Sequence, residues 1–339
     1  MTCQRFTMAL ALAFCVAGPV VAQTTLETVQ ARGELICGTH EHQPGFAAKD
    51  ANGNWHGFDV GLCRALAAAI LGDRNAVSFV KLRAETYLDA LADGEVDLLA
   101  RSKTWTFRRN AGGAVSFVEP AYYGEQRVMV ARASGATSVR ELDAAKVCAE
   151  QGTTASQSLS DYAQVNGLRF DHIPVANTDH GKATYLERGC DAYTADIAVL
   201  SALKASLAEP GEHVILPEVT AKQPMGPVVR AGDDAWADIV RWTIFALIAA
   251  EELGITSLNL EELKTNSPHP EIRRLLGSEG GFGAMLGISD DWAARAISTV
   301  GNYGELFAST IGEQTPIGMS RGLNVPWTQG GLLYSPPFR

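Results

Sequence analysis

Between Asp97 and Arg109 the chain reads DLLARSKTWTFRR: an aspartate, three apolar residues, then hydroxyls and cations closed by two arginines. The apolar residues suit a buried strand. The abrupt change to Arg101, Ser102, Lys103 and Thr104 puts donors and positive charge where that strand ends. Ligands of open α/β sheets sit at that edge, and the planar fork of a guanidinium matches a carboxylate. A second concentration of chemistry is His40-Glu41-His42, at the end of the first apolar run. Alternate residues of an extended segment point the same way, but a metal needs a third ligand and none stands at a sensible spacing. Solvated loop histidines are the simpler reading, so no metal is assigned. The sequence has no glycine-rich phosphate loop, no HExxH and no GxSxG, and nothing in it implies a cofactor.

The elements that must position these residues alternate. Strands are expected over 35–38, 77–82 and 96–100, with helices over 60–71 and 86–92, the latter ending at Gly94 as a left-handed stop. An apolar run without helical period covers 127–132. A second unit then expects strands over 146–149, 170–173 and 192–195 and helices over 154–165, 181–188 and 197–208. Such alternation implies parallel strands with helices on their faces. The two units share an echo, Gly94-Glu95-Val96-Asp97 and Gly189-Cys190-Asp191, in which a helix stop leads through an aspartate into a strand. From Gly226 the pattern becomes helical, over 235–252, 270–276 and 291–311. The tail from Asn324 should be extended yet packed, through Trp327, Leu332, Leu333, Tyr334 and Phe338.

A chain of 339 residues, 46% apolar with 33 glycines, fits an α/β protein of two domains. Its formal charge of −10 argues against a nucleic-acid or polybasic membrane partner. In the first 22 residues Arg5 is the only charge, an apolar run extends from Met8 to Val21, and Val20-Val21-Ala22 supplies small residues. This reads as a secretory signal peptide, 1–22, and implies export. Export removes Cys3 and Cys15 and leaves Cys37, Cys63, Cys148 and Cys190. Four cysteines in an exported chain read as two disulfides with three pairings open. Cys37–Cys63 with Cys148–Cys190 is favoured because each loop stays within one half. Without a CxxC, zinc is disfavoured. The apolar stretch 243–250, TIFALIAA, is too short to cross a bilayer and suits a buried helix.

Longer stretches carry a resemblance. GFDVGLCRALAAAI from Gly57, GEVDLLARSKTWTFRR from Gly94, EQGTTAS from Glu150 and CDAYTAD from Cys190 resemble the polar amino-acid branch of periplasmic solute-binding proteins, which serve ABC importers. RWTIFALIAAEELGIT from Arg241 and the ending GNYGELF … RGLN … GGLLYSPPFR are similar to its general L-amino-acid-binding subfamily. The resemblance covers nearly all of the mature chain, in order. It implies an α/β, periplasmic binding protein-like type II fold of two lobes joined by a two-strand hinge. One lobe is expected from 23–130 and 225–339, with a C-terminal helical extension, and the other from 131–224. The crossings are expected near 128–133 and 224–230. The implied protein is a periplasmic, monomeric, non-catalytic receptor. It captures polar L-amino acids of broad specificity by ligand-induced closure and delivers them to an ABC permease complex in the inner membrane. The alternative on the same fold is an arogenate or prephenate dehydratase. It needs a general acid, and Thr154-Ala155-Ser156, opening the helix after Glu150, has none.

The resemblance also implies residue roles. Arg109, twelve after Asp97, matches the arginine that grips the ligand carboxylate, while Arg108 reads as surface. Thr104 matches a position whose backbone N–H meets the carboxylate and whose hydroxyl meets the ammonium, and Ser102 one whose carbonyl meets the ammonium. Thr154, at a helix start, favours an anion or serves as an ordinary N-cap. Asp196 matches the ammonium-binding aspartate, with helix capping as its plainer role. Arg101, His40, Gln43 and Glu150 match positions lining the side-chain pocket. Arg101 suits acidic or amide side chains and Glu150 basic or amide ones, so no single ligand is singled out.

Overall fold

A computed structural model describes residues 23–40, 42–83 and 86–339. The expected signal peptide and Glu41 lie outside the described residues. Two sheets organise the chain. The first runs Val77–Lys81, Leu35–Thr39, Leu98–Leu99, Val228–Arg230, Val115–Phe117. Its first three strands are parallel, and Val228–Arg230 enters antiparallel to both of its neighbours. The second runs His213–Ile215, Tyr122–Ala131, Ala192–Asp196, Lys146–Glu150, Asp171–Val175, with Ala221–Met225 also paired to Tyr122–Ala131. Here too the Lys146–Glu150 strand lies parallel to both neighbours. The chain thus leaves the first sheet, builds the second and returns to the first between Leu98–Leu99 and Val115–Phe117. This is the two-lobed α/β, periplasmic binding protein-like arrangement.

The two connecting strands pair antiparallel, with Tyr122 opposite Met225 and Gln126 opposite Ala221. The outward crossing therefore differs from the expected 128–133. Residues 126–130 are already registered against Ala192–Asp196 in the second sheet, so the chain crosses ahead of Gln126. The apolar run Val128–Met129–Val130 was conspicuous because it is core, fully buried. The residues that cross, YYGEQ, carry no such signal.

Helix Phe58–Leu71 is buried on almost every face, which is why its alanines are tolerated without an amphipathic period. It packs beside Asp234–Glu252 and Trp292–Val300. The helix expected over 291–311 is two helices. Gly301, at φ 78°, takes the chain out of helical conformation, and Asn302 starts Tyr303–Thr310 with a capping box closed by Glu305. In the tail, Leu333 and Phe338 are buried, Phe338 against Trp242 and Trp292. Trp327, Leu332 and Tyr334 stay about half exposed, contrary to expectation. The tail also holds the outward crossing. Asn324 accepts the Tyr123 N–H at 2.7 Å and donates to its carbonyl at 3.0 Å.

Cysteines pair as Cys37–Cys63 and Cys148–Cys190, with Cα separations of 6.4 and 5.7 Å. The echo between the halves has a structural counterpart. Asp97 accepts the Ile36 N–H and Asp191 the Lys146 N–H, each clamping the start of its strand to a parallel neighbour. In the first unit the left-handed residue is Gly94, but in the second it is Arg188, not Gly189.

Candidate ligand-binding site

The positive wall begins where Leu98–Leu99 ends. Arg101 is buried, and Ser102 turns the chain with a left-handed φ of 45°. Its hydroxyl donates to Oδ2 of Asp59 at 2.6 Å, tying the turn to the first turn of Phe58–Leu71. Burial raises the Asp59 carboxyl to about 6, opposed by the Ser102 hydrogen bond and the charge of Arg101. Thr104 bridges the backbone of Met225, and the Trp105 N–H donates to Pro224 at 2.7 Å, so the segment is fastened to the returning strand. Thr106 then caps the short helix Phe107–Asn110 by accepting the Arg109 N–H. That turn leaves Phe107 and Arg108 in solvent and brings Arg109 to the cleft. Nη1 of Arg109 donates to the Thr104 carbonyl at 2.9 Å, and Nη2 reaches the Gly152 carbonyl of the other half at 3.5 Å.

The negative wall is the end of Ala192–Asp196. Asp196 caps helix Ile197–Ala205, its Oδ1 accepting the Ala198 N–H at 2.9 Å. Oδ2 is buried and accepts no hydrogen bond of good geometry among the described residues. Burial raises this carboxyl to about 7, and nearby backbone N–H groups offset only part of the effect. Room for Oδ2 exists because residue 124, on the outward crossing, is glycine; a Cβ there would overlap it. An acceptor taken out of water without a donor costs about 1–3 kcal/mol, and more when charged.

At the start of Ala155–Asn166 Thr154 stands at the N-cap position, but the hydroxyl that caps is that of Thr153. Thr153 accepts the Ala155 N–H at 3.2 Å and donates to the Glu150 carbonyl at 2.7 Å. Thr154 makes no capping bond and lines the cleft. His40 is pushed well below its usual pKa by burial, then by the charges of Arg101 and Lys103, and is neutral at pH 7.

One cleft, about 610 Å³ counting the open solvent at its mouth, brings together His40, Gln43, Ser102, Thr104, Arg109, Glu150, Thr154 and Asp196. Arg101 does not line it. Its Nε donates to the Leu82 carbonyl at 3.1 Å and its guanidinium lies 5.0 Å from the Tyr87 ring, facing an adjoining chamber. Several lining residues escaped sequence reasoning, among them Lys103, Tyr193, Thr178 and Gln223. Lys103 stood inside the polar run and could have been included. Gln223 and its buried partner Gln126 had no local signal. Gln126 donates to Ala155 and Thr194 at 2.8 and 2.9 Å and accepts from Gln223 at 3.3 Å, tying both crossings to the helix start. The described residues contain no cluster of histidine, cysteine and carboxylates fit for a metal.

Two α/β lobes, bridged by paired strands and enclosing a polar cleft with charges of both signs, define a bilobal solute-binding protein. Residues 35–256 match the bacterial extracellular solute-binding proteins, family 3, and the chain belongs to that family. Over 334 residues, 98% of each chain, it is 49% identical to the glutamate/glutamine/aspartate/asparagine-binding protein BztA of Rhodobacter capsulatus. It is 44% identical to the general L-amino acid-binding periplasmic protein AapJ of Rhizobium johnstonii, over 97% of both chains. A solved ABC transporter periplasmic binding protein from Brucella ovis, with glutathione bound, superposes with a TM-score of 0.90 at 42% identity. The match covers 94% of this chain and all of that one. The first two are named as amino-acid-binding proteins and the third as a periplasmic binding protein of an ABC transporter.

Proposed function

We propose that the protein is a periplasmic receptor that captures L-amino acids, with acidic and amide side chains foremost, and delivers them to an ABC permease. The observation that carries this reading is the unfilled carboxylate oxygen of Asp196 in the same cavity as the Arg109 guanidinium. A free amino acid carries an ammonium and a carboxylate on one carbon, and burying either charge unpaired costs several kcal/mol. Arg109 and the Thr104 and Thr154 amides take the carboxylate; Asp196, the Thr104 hydroxyl and the Ser102 carbonyl take the ammonium. His40, Gln43 and Glu150 border the side chain, with Arg101 beyond them. The names of the Rhodobacter and Rhizobium relatives support amino acids as the class. Glutathione in the Brucella ovis protein supports a cleft that takes more than a free amino acid.

Because Arg109 and Asp196 come from different lobes, a zwitterion binds best when the lobes are closed, and binding shifts the population that way. The bend falls to 122–126 and 221–225. The receptor works as a monomer, exported by residues 1–22. Calorimetry against a panel of L- and D-amino acids should give micromolar or tighter binding of glutamate, glutamine, aspartate and asparagine as L-forms. No binding by any member of the panel would refute the assignment.

A further inference from the structure

Each of the two paired crossings carries a buried glutamine, Gln126 outward and Gln223 on the return. The two ends of an amide differ only in whether they donate or accept, so the surrounding bonds must fix which way each one lies. Here they do. Nε2 of Gln126 faces the Ala155 carbonyl at 2.8 Å, which can only accept, and Oγ1 of Thr194 at 2.9 Å. The Thr194 hydroxyl spends its proton on the Arg127 carbonyl, so it too can only accept from Gln126. The oxygen of Gln126 must therefore face Gln223, which meets it with Nε2 at 3.3 Å. That leaves Oε1 of Gln223 turned away from Gln126, with no donor to it among the described residues, on a side chain that lines the cleft. Register sets its neighbours. Gln223 stands opposite Gly124, and opposed residues of an antiparallel pair put their side chains on one face. The same face carries Oδ2 of Asp196, since a Cβ on Gly124 would overlap that atom. Met225, two residues on, bridges the backbone of Thr104.

Resting on the receptor reading, we propose that Gln223 is a ligand-binding residue, its Oε1 accepting one N–H of the ligand's α-ammonium. A primary ammonium has three N–H groups to place. The first half offers the Thr104 hydroxyl and the Ser102 carbonyl, the second half offers Asp196, and the crossing strands offer Gln223. Asp196 supplies the opposite charge, and Gln223 supplies a neutral acceptor. Gln126 is a positioning residue: it carries the polarity of the Ala155 carbonyl across the strand pair and so presents oxygen, not nitrogen, to the cleft. The consequence is selectivity for a primary ammonium. An N-alkylated amino acid has one N–H fewer and brings carbon against an acceptor that then stays unpaired.

The test is calorimetry of the mature protein with L-glutamate and N-methyl-L-glutamate, repeated on Gln223→Ala, beside a crystal structure of the unaltered protein with glutamate bound. Glutamate affinity should fall about tenfold or more in the variant, the worth of a hydrogen bond to a charged group. N-methyl-L-glutamate should change by less than about threefold, because it lacks the N–H and the shortened side chain leaves room for its methyl group. The preference for glutamate thus narrows. If both ligands weakened in equal proportion, Gln223 would be a structural residue and the assignment would be overturned. Should the variant fail to fold, the crystal structure decides. The ammonium nitrogen within about 3.2 Å of the Gln223 side-chain oxygen upholds the contact, and a separation beyond about 4 Å overturns it while leaving the receptor reading intact. Failure of the unaltered protein to bind glutamate would instead sink the receptor reading, and the role of Gln223 with it.

Discussion

In the first half Asp97 opens the Leu98–Leu99 strand and accepts the Ile36 N–H at 2.7 Å; in the second, Asp191 stands before Ala192–Asp196 and accepts the Lys146 N–H at 2.8 Å. Both strands then run to the cleft, and there the halves part. The first continues into a turn that delivers the partly buried guanidinium of Arg109, already bonded to carbonyls of both halves. The second stops on Asp196, buried and with one oxygen unpartnered. One scaffold, used twice, thus presents opposite charges in unlike states. The cation is partly buried and bonded to carbonyls of both halves, whereas the anion is desolvated with one oxygen unpartnered. The electrostatic cost of an empty cleft falls mainly on the second half.

Substitutions at the two charges should break this comparison most clearly. Arg109→Ala should weaken amino-acid binding by about 2–5 kcal/mol, because the ligand carboxylate stays buried without its partner; calorimetry measures the loss. The ligand-free protein should lose little stability, since the guanidinium is only partly buried. Asp196→Asn should also abolish tight binding, yet stabilise the ligand-free protein at pH 8 by on the order of 1–4 kcal/mol, read by chemical denaturation. A destabilised Asp196→Asn would mean that the anion is not under strain in the free state.

The disulfides compare the halves at similar magnitude. Cys37–Cys63 closes a separation of 26 residues and Cys148–Cys190 one of 42. Loop-closure entropy assigns roughly 3–4 kcal/mol to each, slightly more to the longer. Paired Cys→Ser variants should lower the thermal midpoint accordingly.

The pH dependence follows from the carboxyl of Asp196, raised from 3.8 to about 7. Between these values the folded protein holds a proton that the unfolded chain does not, so the ligand-free protein loses stability as pH rises through that window. An ammonium favours the ionised carboxylate, so binding releases a proton below pH 7. Affinity should therefore fall by up to about tenfold per pH unit as pH drops from 7 toward 5. Calorimetry in buffers of different ionisation enthalpy detects the proton. The smallest effect lies in the echo. Asp97→Ala leaves the part-buried Ile36 N–H without its acceptor and Arg32 without its buried carboxylate, and should cost about 1–3 kcal/mol. Asp191→Ala exposes only a solvent-facing Lys146 amide and should cost under about 1 kcal/mol. Equal costs would mean that the two clamps are equivalent after all.

Much of this architecture was legible. Strand and helix alternation through residue 208, the glycine stop at Gly94 and the pairing of four cysteines within their halves all rest on short-range signals. Where such signals were weak, the reading slipped. Gly301-Asn302 splits a helix that the apolar pattern ran together, because a single glycine outweighs periodicity once its φ is positive. The crossing was expected near 128–133, around the apolar run, since burial shows in composition and strand exchange does not.

Residue types at the strand ends, and hence a guanidinium in one half and a carboxylate in the other, were determined by the sequence alone. Local periodicity and chain order suffice to place an arginine or an aspartate at the edge of a parallel sheet. Only the tertiary structure decided that Asp196 is left with an empty oxygen and that Arg101 turns away onto Tyr87. Those outcomes depend on which distant residues come near, such as Gly124 leaving room beside Oδ2. Desolvation is a property of surroundings assembled from the whole chain, and no local stretch of residues encodes it.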